Sequence, residues 1–168
     1  MSKENTTTVE VADLSSYLEE LSSGSLSGQP PYQIKGVALG PNDVTRGQSG
    51  EKKVWPPSTL KEAADSLTGK NLVTDHQNSV RSVVGEVTRA YFQEEKGVVF
   101  NAELDDKDIA QKIVNGRLDV SARVLHKDTD DLKQNEEGAY VIDLAKFDNL
   151  SFVLKPGAAP SNNVEIGA

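Results

Sequence analysis

The chain has no cysteine, and its 168 residues include only two histidines, one tryptophan and one methionine. Without thiols there is no disulfide framework, no thiolate nucleophile and no Cys-ligated zinc. His76 and His126 alone cannot build a three-His metal site, so neither a metal nor an organic cofactor is expected. No apolar run approaches the roughly eighteen residues that a membrane-spanning helix needs. The opening MSKENTTTVEV has no basic stretch followed by an apolar one, so the chain is expected not to be secreted. On that expectation the glycosylation patterns at Asn5-Thr-Thr7 and Asn149-Leu-Ser151 are chance matches. Positive charge is also short, with 18 Lys and Arg against 26 Asp and Glu and a net charge of −8. That balance argues against sequence-independent binding to nucleic acid or to an anionic membrane.

What remains is 36% hydrophobic, enough for one modest core if the polar residues gather in loops and tails. Residues 1–31 are rich in Ser and Thr and carry Glu4, Glu10, Asp13, Glu19 and Glu20 against Lys3 alone. Val11, Leu14, Leu18 and Leu21 recur at helical spacing, which predicts a short amphipathic helix in an otherwise flexible N-terminal arm. The arm is a disordered lead or a docking peptide; its composition favours the first. Residues 32–156 form the expected domain, and 157–168 the expected flexible tail.

Within the domain, strands are predicted over Tyr32–Leu39, Leu72–Asp75, Val80–Gln93, Val98–Leu104, Leu118–His126, Tyr140–Leu144 and Phe147–Leu154. Thr45–Lys53 reads as a polar loop. One helix is predicted from Pro57, with Thr59 and Glu62 as a capping box and Gly69 as its stop. A second starts among Asp105, Asp106 and Asp108, where acids suit the helix dipole, and ends at Gly116. The pattern predicts a mainly β fold with peripheral helices, an antiparallel barrel or sandwich of about seven strands.

Two segments stand out for chemistry. In Leu118–His126, Leu118, Val120, Ala122 and Val124 share one face and Asp119, Ser121 and Arg123 the other. The apolar face should enter the core, which turns Ser121 outward as a candidate nucleophile or as an ordinary surface serine. His76 closes an apolar strand just before Gln77-Asn78-Ser79, a mouth position for a general base or a histidine held by a turn. His126 lies at an odd offset from Ser121 on the same strand, so it is expected on the opposite face in a structural role. Asp148 shares parity with Leu150, Phe152 and Leu154, where a carboxylate needs a partner such as the His76 ring. Asp119 and Asp143 are weaker alternatives, and Asp75 is expected to face away from its neighbour.

The order of these segments resembles the prohead, or capsid maturation, serine proteases of tailed phages and archaeal tailed viruses. That family is related in fold to the herpesvirus capsid assembly proteases. The resemblance is carried by Ile34-Lys-Gly-Val-Ala-Leu-Gly40, Leu72-Val-Thr-Asp-His76, Val84-Gly-Glu-Val87 and Gly97-Val-Val-Phe-Asn-Ala-Glu-Leu104. It continues through Ile109 to Gly116, Leu118-Asp-Val-Ser-Ala122 and Leu150-Ser-Phe-Val153 before Pro156. Order and spacing carry it; no single motif is diagnostic.

The resemblance implies a herpesvirus-protease-like barrel with His76 as base, Ser121 as nucleophile and Asp148 as the third member. The strand departs from the family pattern at the third position, reading Phe-Asp-Asn-Leu-Ser where a Glu-Val-Ser-Leu-like run is usual. Backbone amides near Gly157, and Arg123, are the oxyanion candidates it implies. It also implies scaffold and major coat proteins as substrates, self-cleavage, and a site of action inside the prohead in the host cytoplasm, and it leaves a homodimer open. The rival reading is a catalytically inactive scaffold or assembly module on the same barrel.

Overall fold

The computed structural model describes residues 8–12, 17–21, 30–41, 44–46, 51–77 and 79–154. Eleven strands are found among them: β1 (Thr8–Ala12), β2 (Tyr17–Leu21), β3 (Tyr32–Leu39), β4 (Val44–Arg46), β5 (Lys52–Val54), β6 (Asn71–Thr74), β7 (Val83–Gln93), β8 (Gly97–Leu104), β9 (Leu118–His126), β10 (Tyr140–Val141) and β11 (Ala145–Leu154). Helix α1 spans Pro57–Ala63 and runs into a 3₁₀ turn at Ala64–Leu67; helix α2 spans Lys107–Val114.

Eight strands form one sheet in the order β1-β9-β11-β6-β7-β8-β3-β2. The ladders are antiparallel except β11 with β6, which run parallel. The sheet curls until β2 and β3 approach β9, but no ladder joins them. The expected closed antiparallel barrel of about seven strands is therefore corrected to an open, curled, mixed sheet. The polar stretch expected as a loop instead holds β4 and β5, which pair with β10 in a small second sheet. Among the described residues of the N-terminal arm, strands stand where a helix was expected. Its apolar residues fall across β1 and β2, both paired into the main sheet, with Leu14 outside the described residues. The expected tail, 157–168, also lies outside them.

The core fills the hollow of the curl. Leu118, Val120, Ala122 and Val124 of β9 meet Phe147, Leu150 and Phe152 of β11 there, with Leu72, Val87 and Phe100 from the strands beyond. Leu60, Ala63, Ala64 and Leu67, at helical spacing, turn the buried face of α1 and its 3₁₀ extension into the same cluster. Pro57 suits the first turn of α1, where its missing N–H costs nothing. Thr59 does not cap: its buried hydroxyl donates to the Ile142 carbonyl at 2.7 Å and ties α1 to the segment before β11. In α2, the Asp106 side chain caps the helix by accepting the Ile109 N–H at 3.0 Å, within the acidic run expected at its start.

The β7–β8 hairpin turns at Gly97, which has φ +98°. A methyl group there would run into the Leu39 carbonyl and lie 2.7 Å from Gly40 Cα. Gly97→Ala therefore combines a left-handed backbone with overpacking, and a loss of about 2–4 kcal/mol is expected. A urea midpoint within error of the parent's would refute this.

Candidate active site

Three strands converge on the polar face of the sheet. β11 lies between β9 and β6, so one strand is in register with both other contributors. Against β9, Ser151 stands opposite Ser121 and Asn149 opposite Arg123; against β6, Ser151 stands beside Val73. The chain leaves β6 at Thr74 and turns back at once through Asp75 and His76. Both adopt left-handed backbone, with φ of +54° and +56°. Such conformations cost of order 1–3 kcal/mol each in a non-glycine residue and persist only where the surroundings enforce them. Here they are enforced on both sides of His76. Its N–H donates to Ser151 Oγ at 2.9 Å, and its carbonyl accepts from Arg123 Nη1 at 3.3 Å. Gln77 N–H closes the turn onto the Thr74 carbonyl at 3.1 Å.

The turn lays the imidazole between two side chains. His76 Nε2 is 3.1 Å from Ser121 Oγ, and His76 Nδ1 is 3.0 Å from Asn149 Oδ1. The amide of Asn149 is oriented in turn by its Nδ2, which donates to Asp148 Oδ2 at 3.4 Å. With its oxygen facing the ring, Asn149 accepts from Nδ1–H. Nε2 is then left as the acceptor for the Ser121 hydroxyl. Ser121, Asn149 and Ser151 have no solvent exposure. Low local polarity strengthens hydrogen bonds among such groups and makes each unpaired one costly.

The sequence-predicted residues therefore divide. His76 and Ser121, 45 positions apart, are brought into hydrogen-bond contact. Asp148 is not on the imidazole; the neighbouring Asn149 is. The reason is a β-bulge: the β9–β11 register shifts between Phe147 and Asn149. Phe147 and Leu150 both enter the core, which strict alternation would forbid, and the extra residue is Asp148. The core parity assigned to Asp148 is thus corrected, and Asn149 joins Ser151 on the polar face. Ser121 is also buried rather than open to solvent.

The remaining candidates fall elsewhere. His126 Nδ1 donates to the Lys127 carbonyl at 2.8 Å, and its ring meets Trp55 edge-on at 6.0 Å, a structural setting. Asp143 pairs with Lys127 at 3.4 Å. Asp119 accepts the Val120 N–H at 2.9 Å. Arg123 lies two residues from Ser121 on the same face of β9, and its Nε is buried without a hydrogen-bond partner among the described residues. Gly157 lies outside the described residues. No group of acids and histidines suited to a metal ion occurs among the described residues.

Sequence reasoning missed Asn149 and Ser151. Their signal was present in Phe147-Asp-Asn-Leu150, where two large apolar residues three apart can both reach the core only through a bulge. A cleft of about 350 Å³ opens beside the His76 turn, lined in part by Thr74, Asp75, Lys112, Arg117 and Phe152.

The open, curled β-sheet has the fold of a viral capsid assembly protease. Among solved structures, the chain is similar to the bacteriophage T4 capsid assembly protease, gp21. The match has 15% sequence identity and a TM-score of 0.57, and it covers 88% of this chain and 98% of that one. No protein-family model matches the chain, and no curated protein does.

Proposed function

We propose that the protein is a serine endopeptidase of viral prohead maturation, acting on scaffold and coat proteins and on itself. The observation that carries this reading is the hydrogen-bonded series Ser121–His76–Asn149. His76 Nε2 takes the proton of Ser121 as Oγ attacks the scissile carbonyl. Asn149 holds the ring tautomer that leaves Nε2 free to accept. The imidazolium then protonates the departing amine, an acyl-enzyme remains, and water activated by the same nitrogen releases the acid. Asn149 carries no charge, so it orients the imidazolium and stabilises it less than a carboxylate would. Arg123 is the candidate oxyanion donor, with its unpartnered Nε on the Ser121 face. Backbone amides near Gly157 remain the second candidate.

The likeness in fold to a capsid assembly protease supports the setting: action inside an immature capsid, on proteins of that capsid. The rival reading, an inactive assembly module, draws on the neutral Asn149 and the buried Ser121. Labelling with a fluorophosphonate separates the two. The expected result is a single modified residue, Ser121, located by peptide mass mapping. An unmodified Ser121 in both the isolated protein and co-assembled particles would favour the inactive module.

A further inference from the structure

His76 reaches Ser121 and Asn149 from a turn that does not hold itself. A negative φ at His76 would swing Cβ, and the ring with it, to another side of the backbone and away from both contacts. The reach therefore depends on keeping φ at +54° and +56° in two successive residues, Asp75 and His76. Asp and His adopt such backbone singly at moderate cost, but two in series need outside support. Two groups supply it. Arg123 Nη1 donates to the His76 carbonyl at 3.3 Å from a long, half-buried side chain. Ser151 is short, fully buried and built into β11, a strand with a neighbour on each side. Its hydroxyl donates to the Phe152 carbonyl at 3.2 Å, which leaves the oxygen to accept the His76 N–H at 2.9 Å. Ser151 also stands opposite Ser121 in the β9–β11 ladder. One rung of the sheet thus ties the backbone of the base to the strand position of the nucleophile.

From this geometry we infer that Ser151 is a positioning residue for the base: it acts on the main chain of His76 and so sets the reach of Nε2 to Ser121 Oγ. The inference rests on the hydrolase reading above and adds a residue to it. Asn149 selects which ring nitrogen carries the proton, and Ser151 fixes where the ring stands. A ring released from the turn loses both contacts. A shift of about 1 Å in a reacting group can cost on the order of 10²-fold in rate, so a hydroxyl that does not touch the ring can still govern turnover.

Full-length variants test this with a fluorophosphonate as the probe of Ser121. In Ser151→Ala the limiting labelling rate at saturating probe is expected to fall at least about tenfold, with the half-saturating concentration within about twofold of the parent's. Ser151→Thr keeps the oxygen and suits a strand, so it is expected to label within about threefold of the parent. Asp75 is exposed, and glycine adopts its left-handed backbone without steric cost. Adding Asp75→Gly to Ser151→Ala is therefore expected to return most of the lost rate, whereas a role for Ser151 in packing alone predicts no return. Should Ser151→Ala not fold, Ser151→Cys takes its place, being close in size and a weaker acceptor, with the same expected direction. A limiting rate within about twofold of the parent's, or a loss that Asp75→Gly leaves untouched, would overturn the inference and spare the hydrolase reading. Nitrogen NMR of the His76 ring reads the same point without turnover. The parent is expected to show one tautomer, protonated at Nδ1, and Ser151→Ala a mixture. If Ser121 is never labelled, the hydrolase reading fails and the ring spectrum decides alone: a mixture upholds the positioning, and a spectrum like the parent's refutes it.

Discussion

Ser121→Ala is expected to abolish processing of a co-expressed scaffold or coat protein while the protein still folds. Loss of a serine nucleophile removes the covalent route altogether, and a fall on the order of 10⁴-fold or more is the ordinary size of that effect. Folding should survive because alanine fits the same buried space. The mutation gives up one hydroxyl in contact with His76 Nε2, a change worth about 1 kcal/mol. His76→Ala should be as damaging to turnover, since no second imidazole is available. His126 is held against Trp55 and the Lys127 carbonyl. Unchanged processing by Ser121→Ala, with a circular dichroism spectrum like the parent's, would remove the proteolytic reading.

The second large effect separates two neighbouring residues. Asn149→Ala removes the side-chain oxygen 3.0 Å from His76 Nδ1, and with it the contact that positions the tautomer. Loss of such positioning is expected to cost about 10²–10⁴-fold in kcat. Asp148→Ala removes a contact of 3.4 Å to the far side of that amide, and less than about tenfold is expected. The reverse ranking in a cleavage assay would show that the bulge does not hold in the working enzyme. Asn149→Asp adds a direction with pH. A carboxylate beside the ring favours the imidazolium, so the base loses its proton only at higher pH. The acid limb of the pH–rate profile should then move upward relative to the parent.

These two experiments also mark how far the sequence could be read. Ser121 and His76 stood out because the chain offers no thiol and only two imidazoles, and because alternation along β9 separates Asp119, Ser121 and Arg123 from the apolar set. Alternation then misled at β11. It assumes a regular ladder, and the ladder slips where Phe147 and Leu150 both claim the core. Tertiary packing chose the bulge, and one residue of slip exchanged an acid for an amide. The strands at Thr8–Ala12 and Tyr17–Leu21 were hidden for a related reason. Their pairing partners, β9 and β3, lie far away or beyond a linker, and the local spacing of Val11, Leu14, Leu18 and Leu21 fits a helix equally well. Closure of the sheet is likewise a property of its two end strands, and no local pattern reports on it.

The placement of β11 between β9 and β6 has a consequence for the life of the protein before it is complete. The imidazole turn hangs on Ser151, and the ring is steadied by Asn149, so both supports belong to a strand that ends at Leu154. A chain still being synthesised holds the hydroxyl and the base before it holds the piece that unites them. On the proposed hydrolase reading, the series Ser121–His76–Asn149 is therefore complete only once β11 has been made.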